Sequence, residues 1–432
     1  MDTLAKELNE VLRTTVVDGF LSDVGRRMFF PKGIVAQSAE AGTKATTYNA
    51  TIGMAVKNGQ PMYLSDIYDK FVPGSFKPSE LFSYAPGGGL KELRSAWKEE
   101  MMAKNPSLVG KRFSLPIVTS GLTHSLSIIS MLFSQKGDTL LLPDLAWDNY
   151  ELIYTSLNNA SIKSYPMYGS DGLFNVSGLE KAIRSLPGKK ARILLNFPNN
   201  PTGYTPSVSE MAAIKDMLVS LANEGYKLLV MSDDAYYGLF YEKETEKESL
   251  FSLLCDAHEN ILAIKGDAAT KEAMVWGFRI AFVTFGCKGL SDEAYDALNK
   301  KMLGMIRATV SNCDHPGQSL LLNAMRSPSY QEDKQKVFDE MEGRYRALHQ
   351  ALEGYKDRFG LLRPYPFNSG YFMAFATKGS AEQLRKHLLD DYGVGCINIQ
   401  DKTLRVAYCS VAADKVADLV RIIFQAAGEL WN

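Results

Sequence analysis

The sequence predicts an α/β fold built on a central, mostly parallel sheet, and three observations predict it. From about Leu115, short apolar runs alternate with stretches whose apolar residues recur at helical spacing, the signature of βα units with helices on both faces of the sheet. The runs end on Ser120, Asp144, Asn196, Asp233 and Gly266, and ligands collect at the carboxyl ends of strands in such sheets. After about Asn312 the alternation stops and a helical stretch leads into short strands of α+β character.

In order, LPIVTS (115–120) precedes the helical THSLSIISMLF, DTLLLPD (138–144) precedes WDNYELIYTSL, and SIKSYPM (161–167) precedes VSGLEKAIRSL. ARILLNF (191–197) precedes SVSEMAAIKDMLVSLANEG, then come YKLLVMSDD (226–234), NILAIKGDA and FRIAFVTFG. The stretch from GQSLLLNAM to KDRFG reads as a long helical connection into the strands GYFMAFA and LRVAYC. The N-terminal residues have no strand–helix alternation of their own and are expected to pack with that tail. The expected division is a large domain at 61–319 and a smaller one from both chain ends, 1–60 and 320–432.

A chain of 432 residues exceeds what one core holds. Lys and Arg total 48 against 49 for Asp and Glu, a balance that argues against nucleic acid as partner. The five cysteines are scattered without a C-x-x-C pair and read as reduced thiols, not a disulfide frame or zinc site. The five histidines have no metal spacing. No segment approaches the ~18 consecutive apolar residues of a membrane span. The N-terminus carries acids early and lacks a basic start with an apolar block, so a cytoplasmic protein is expected.

Five motifs carry chemistry. NFPNNPTGY (196–204) follows a strand; it is at least a tight turn, and its prolines and asparagines also restrict the backbone enough to aim an amide at a ligand. VMSDDAYYGLF (230–240) ends a strand in Asp233 and Asp234. The pair suits a helix cap, yet strand alternation buries one carboxylate, which then needs a partner such as a protonated pyridine nitrogen. In VTSGLTHSL (118–126) a glycine opens a helix, an ordinary cap or a phosphate cradle. Trp147 in PDLAWDNY begins another helix, where core packing is the commoner fate of a tryptophan. The fifth motif, GDAATKEAMVWGFR (266–279), places Lys271 eight residues before Arg279.

Together these resemble the class I/II aminotransferases, the fold type I enzymes that use pyridoxal 5′-phosphate, and most nearly the aspartate aminotransferase branch. The resemblance runs from about Tyr48 to Ser410 and rests on NNPTG, DDAY, the Lys271–Arg279 spacing and LRVAY. It implies that Lys271 forms the Schiff base with the cofactor aldehyde and Asp233 keeps the pyridine nitrogen protonated. It implies that Tyr236 and Asn200 donate to the phenolic oxygen and Trp147 stacks on the ring. Gly121, Leu122, Thr123 and Arg279 then hold the phosphate, and Arg405 clamps the substrate α-carboxylate. Tyr84, in LFSYAPGGGLKELR, corresponds to a tyrosine reaching the neighbouring subunit's phosphate, so a homodimer with shared active sites is expected.

Two departures stand out. The family's serine three residues before the lysine is Ala268 here, and the glycine two after the arginine is Ala281, so a remodelled phosphate cradle is expected, with Thr270 or Asp267 taking other roles. Lys265 competes for the lysine role but has Ala273, not arginine, eight residues on. ATIGMAVKNGQPMY and IRATVSNCDHPGQ resemble segments of the aspartate branch. In that branch Gly53 lies beside the substrate and Arg307 of the second subunit binds a side-chain carboxylate; Arg307 reads equally as a surface arginine. The implied substrates are an amino acid, aspartate or glutamate among them, and a 2-oxo acid such as 2-oxoglutarate. Alternatives on the same residues are an aromatic or broad-specificity aminotransferase, a β-lyase or decarboxylase, and, more remotely, a ligand-sensing domain. PGGGLKEL (86–93) lacks the spacing of a nucleotide-binding loop.

Overall fold

The computed structural model describes residues 1–31 and 33–431. The apolar runs form seven strands: β1 (Ile117–Ser120), β2 (Thr139–Pro143), β3 (Ser161–Tyr165), β4 (Lys190–Asn196), β5 (Lys227–Asp234), β6 (Ile261–Ala268) and β7 (Ile280–Gly286). They make one sheet in the order β1-β7-β6-β5-β4-β2-β3. Strands β2 to β6 pair in parallel, and β7 is antiparallel to both β6 and β1. The connection from Ala268 to Ile280 is too short for the crossover that a parallel pair needs. The chain therefore turns back at the sheet's end, and Lys271 sits in that turn.

Burial explains the strand sequences. Every residue of β7 and all but Leu262 of β6 are buried, so period-two alternation has no solvent face to serve. Register aligns the carboxyl ends: Asn196 lies opposite Asp233, and Asp233 opposite Gly266. Three neighbouring strands thus come level there, and the side chains of Asn196 and Asp233 face the same space.

The helices include α1 (Ile34–Lys44), packed on the C-terminal part, α2 (Lys91–Lys104) and α3 (Leu122–Phe133) against this sheet, α4 (Asp292–Thr309), and the long α5 (Tyr330–Glu353), packed mainly on the C-terminal helix. Leu93, Trp97 and Met101 recur at helical spacing and form the buried stripe of α2. A second, four-stranded antiparallel sheet contains Leu362–Pro364, Met373–Thr377, Thr403–Val406 and Ile397–Ile399, in that order. Tyr48–Asn49 pairs in parallel with Val394–Gly395, joining the N-terminal segment to the C-terminal part. Among the described residues no helix is long and apolar enough to cross a membrane. The cysteines are free thiols, and four of the five are buried.

Sequence reasoning expected one of Asp233 and Asp234 to be buried; both are. Adjacent strand residues point to opposite faces, and here each face is covered. Asp234 meets Lys265, which also pairs with Asp267 at 3.2 Å. Ser249 Oγ donates to Asp234 at 2.6 Å, Trp97 Nε1 donates to Asp267 at 3.2 Å, and the Lys265 ammonium stands 4.4 Å from the Tyr237 ring centre. Lys265 is fully buried and engaged on the far side of the sheet, so it is not available as the reactive lysine.

Trp97 also stacks on Phe282 of β7, with centroids 4.1 Å apart. Trp97→Ala removes that stack and a donor to a buried carboxylate, and should cost roughly 3–5 kcal/mol. Chemical unfolding measures it; a midpoint equal to wild type would contradict this account of the core.

Candidate active site

A cavity of about 340 Å³ opens above the carboxyl ends of β4, β5 and β6. Asp233, Asn196 and Lys271 line it from the strand ends, Leu122 and Thr123 from the start of α3, and Arg405 and Phe372 from the smaller sheet. Gly53, Asn200, Trp147, Tyr236 and Arg279 also face it. Residues far apart in the chain converge because parallel strands deliver all their carboxyl ends to one edge.

Asp233 lies at the floor, 2% exposed. Its Oδ2 accepts from Tyr150 Oη at 2.6 Å, and its Oδ1 accepts from the Ala235 N–H at 3.1 Å and Asn196 Nδ2 at 3.4 Å. Burial still raises the carboxyl to about 6, because loss of hydration outweighs these donors and the pull of Lys271. The Lys271 ammonium stands 4.6 Å from the Tyr236 ring centre. Burial lowers it to about 8, with Arg279 adding to the decrease and Asp233 opposing it. An acid pushed up and an amine pushed down in one cavity is the pattern of a reactive site.

The wall opposite is built for anions. Arg279 takes a left-handed backbone, φ 55°, just before β7, and its guanidinium lies against Gly121. A Cβ at Gly121 would overlap that group, and its φ of 83° also disfavours any side chain. The start of α3 has no side-chain cap, leaving N–H donors beside Arg279. Thr270 is buried and lines the same space. Asp267, the other residue considered near the missing serine, points to the opposite face and bonds Trp97 and Lys265.

Arg405 is 2% exposed. Its Nη1 donates to Asn200 Oδ1 at 3.0 Å and its Nη2 to the Thr51 carbonyl at 2.8 Å, while Nε has no partner among the described residues. Phe372 flanks the guanidinium at 4.4 Å. A buried fork with an open donor fits a carboxylate. Asn200 is positioned by its own N–H, which donates to Asn196 Oδ1 at 2.7 Å. Gly53 lets its segment approach closely, since a Cβ there would stand 2.8 Å from Phe372 Cζ.

Eleven of the thirteen residues named from sequence line this cavity or, for Gly121, stand against its arginine. Tyr84 and Arg307 do not. Tyr84 is 89% exposed, and Arg307 is exposed near the end of α4, bonding Ser311 Oγ at 2.5 Å. Sequence reasoning missed Tyr150, although it follows Trp147 by one helical turn, the spacing that puts two side chains on one face; their rings meet edge-on at 5.5 Å. It also missed Ile34, Val35 and Ser38 of α1, for which no local signal exists. Among the described residues no group of three or more His, Cys, Asp or Glu could hold a metal ion.

These residues fit an anionic, aldehyde-bearing aromatic cofactor: an amine for the aldehyde, a carboxylate for a ring nitrogen, and a guanidinium with a helix start for phosphate. Because Asp233 titrates near 6 when folded and near 3.8 ordinarily, the folded chain holds its proton longer. Stability of the cofactor-free protein should therefore fall through this group as pH rises from about 4 to 6. Asp233→Asn should remove that part of the fall in melting temperature; parallel pH profiles for variant and wild type would contradict the assignment.

The model of the aminotransferase class I and II family matches residues 69–423. A probable aspartate aminotransferase of Methanocaldococcus jannaschii is 29% identical over 219 residues, 51% of each chain. A probable aspartate/prephenate aminotransferase of Aquifex aeolicus is 27% identical over 57% of each. The chain thus spans about half the length of these relatives. The aspartate aminotransferase of Sulfolobus acidocaldarius is 25% identical over 76% of this chain and 77% of its own. In structure, an aminotransferase of Anaerococcus prevotii superposes with a TM-score of 0.80 at 22% identity, over 93% of this chain and 98% of its own. A multiple substrate aminotransferase of Thermococcus profundus gives 0.78 at 18% identity, over 96% and 99%. With the same fold throughout and the family pattern running across lysine, carboxylate and arginine alike, the chain belongs to the class I and II aminotransferases, pyridoxal-phosphate enzymes of fold type I.

Proposed function

We propose that the protein transfers an amino group from an amino acid to a 2-oxo acid such as 2-oxoglutarate, with Lys271 as the reactive amine. The observation that carries this is the opening of the Lys271 amine and the Arg405 fork onto one cavity with Asp233 at its floor. Pyridoxal 5′-phosphate supplies an aldehyde that condenses with amines and a ring that withdraws electrons while its nitrogen is protonated. Asp233 would keep that nitrogen protonated, and Tyr150 and Asn196 keep the carboxylate directed upward. Arg279, Thr270, Gly121, Leu122 and Thr123 would hold the phosphate, with Trp147 against the ring and Tyr236 and Asn200 at its oxygen. Arg405 would grip the substrate α-carboxylate, leaving the Lys271 amine to take the Cα proton and return it. In this reading residues 61–319 form the cofactor-binding domain, and 1–60 with 320–432 form the smaller one.

We assign the side-chain end of the cavity to a dicarboxylic donor, aspartate or glutamate, bound by Arg307 from a second copy of the chain. Tyr84 of that copy would reach the phosphate. The exposure of both side chains on the single chain supports their use between subunits. A second reading, an aromatic donor, is favoured by the apolar wall of Ile34, Val35, Ile52 and Phe372.

A panel of acidic, aromatic and aliphatic donors, tested with 2-oxoglutarate against wild type and Arg307→Ala, separates these readings. Selective loss of acidic donors supports the first; an unchanged profile removes it. Lys271→Ala should lower turnover by at least ~100-fold, and undiminished transamination by that variant would sink the whole proposal. With the amine lowered to about 8, its uncharged form predominates above that pH. Colour formation on adding pyridoxal phosphate to cofactor-free protein should therefore accelerate up to about pH 8 and level off; continued rise toward 10.5, the ordinary value, would refute the depressed amine.

A further inference from the structure

We propose that Glu272 is a positioning residue for Lys271, holding the lysine's turn in place and tying it to helix α5 through Lys334. This deepens the reading of Lys271 as the reactive amine and rests on it. Glu272 closes the helical turn Ala269–Glu272 and directly follows the lysine. Its side chain is only 6% exposed. The Oε1 atom accepts from Lys334 Nζ at 2.7 Å and also pairs with Lys104. Both lysines meet Glu100 as well, Lys104 at 3.0 Å and Lys334 at 2.9 Å. Two carboxylates and two ammoniums thus form a closed ring. It joins α2, which carries Glu100 and Lys104, to the first turns of α5 and to the lysine turn.

Stability alone does not account for this ring. Four charges withdrawn from water give little net stabilisation, and apolar residues of similar volume commonly do better. What ionic hydrogen bonds supply is direction and register. The segment from Ala269 to Arg279 needs both. It reverses the chain within a short span and holds two non-glycine residues, Met274 and Arg279, at φ 55°, a conformation that persists only when surroundings enforce it. A second cavity, of about 240 Å³, lies along this segment, with Lys271, Glu272, Lys104 and Lys334 in its wall. Packing alone therefore leaves the turn incompletely supported on that side, and Glu272 Oε2 lacks a partner among the described residues. The ring braces the turn where apolar contact does not. Through Lys334 it makes the placement of Lys271 depend on α5.

The test uses the cofactor-saturated protein. Glu272→Ala and Lys334→Met should each lower kcat about 10- to 100-fold, the effect of a displacement near one ångström, while KM for the amino donor changes less than about 3-fold. The double variant should lose less than the product of the two single losses, because both remove the shared Glu272–Lys334 contact. Lys334→Arg should recover kcat to within about 3-fold. Visible circular dichroism of the bound cofactor should weaken in the single variants and return in Lys334→Arg, a signal that requires no turnover. Should Glu272→Ala fail to fold, Glu272→Gln, which keeps one acceptor and the side-chain volume, takes its place with a smaller loss in the same direction. Wild-type kcat and dichroism in Lys334→Met would overturn the inference, as would additive losses in the double variant. If instead wild type binds the cofactor without transaminating, the dichroism still decides the role of Glu272; a Lys271→Ala protein that colours like wild type would remove the underlying reading.

Discussion

The structure depends on keeping a carboxylate and an amine out of water without letting either find a complete partner. Asp233 is raised by burial and Lys271 is lowered by it, so each carries an unmet electrostatic need into the cavity. A charge in that condition is costly. It persists here because the surrounding sheet and helices are rigid and already bonded. Tyr150, Asn196 and the Ala235 N–H fix the carboxylate's direction, so a cationic ring nitrogen placed above it would meet an acceptor that need not reorganise.

A sheet covered on both faces makes this possible. Along β5 and β6, neighbouring residues serve opposite sides. Asp233 looks into the cavity, while Asp234, Lys265 and Asp267 satisfy one another behind it, with Ser249 and Trp97 completing their hydrogen bonds. The buried ions behind the sheet are nearly saturated, and the groups in front are not. That difference, and not burial, distinguishes the two sets, since both are equally hidden from solvent.

The anion-binding half follows from backbone geometry. Arg279 occupies a left-handed conformation immediately before β7, and Gly121 supplies the space its guanidinium needs. Thr270 faces the cavity from the position just before the lysine, so a hydroxyl remains available although the family's serine is Ala268. Arg405 comes from the smaller sheet, whereas Arg279 stands immediately before β7 of the larger one, and both line the cavity with Lys271. Any relative motion of those sheets alters the distance between the two guanidinium groups.

What the amino-acid order determined by itself was the run of βα units, the strand-end positions of Asn196 and Asp233, and the lysine–arginine spacing. These are local: hydrophobic period and turn chemistry act over a few residues, and they leave readable traces. It also set Lys265 aside for want of an arginine eight residues on, but only the fold supplies the physical reason, Asp234 and Asp267 around that ammonium. Tyr150 under Asp233, α1 over the cavity, the antiparallel β7, and the ring joining Glu272 to Lys104, Lys334 and Glu100 were decided by tertiary structure alone. Each depends on which distant segments share a neighbourhood, and that is set by burial of the whole chain, to which no short stretch of sequence holds the answer.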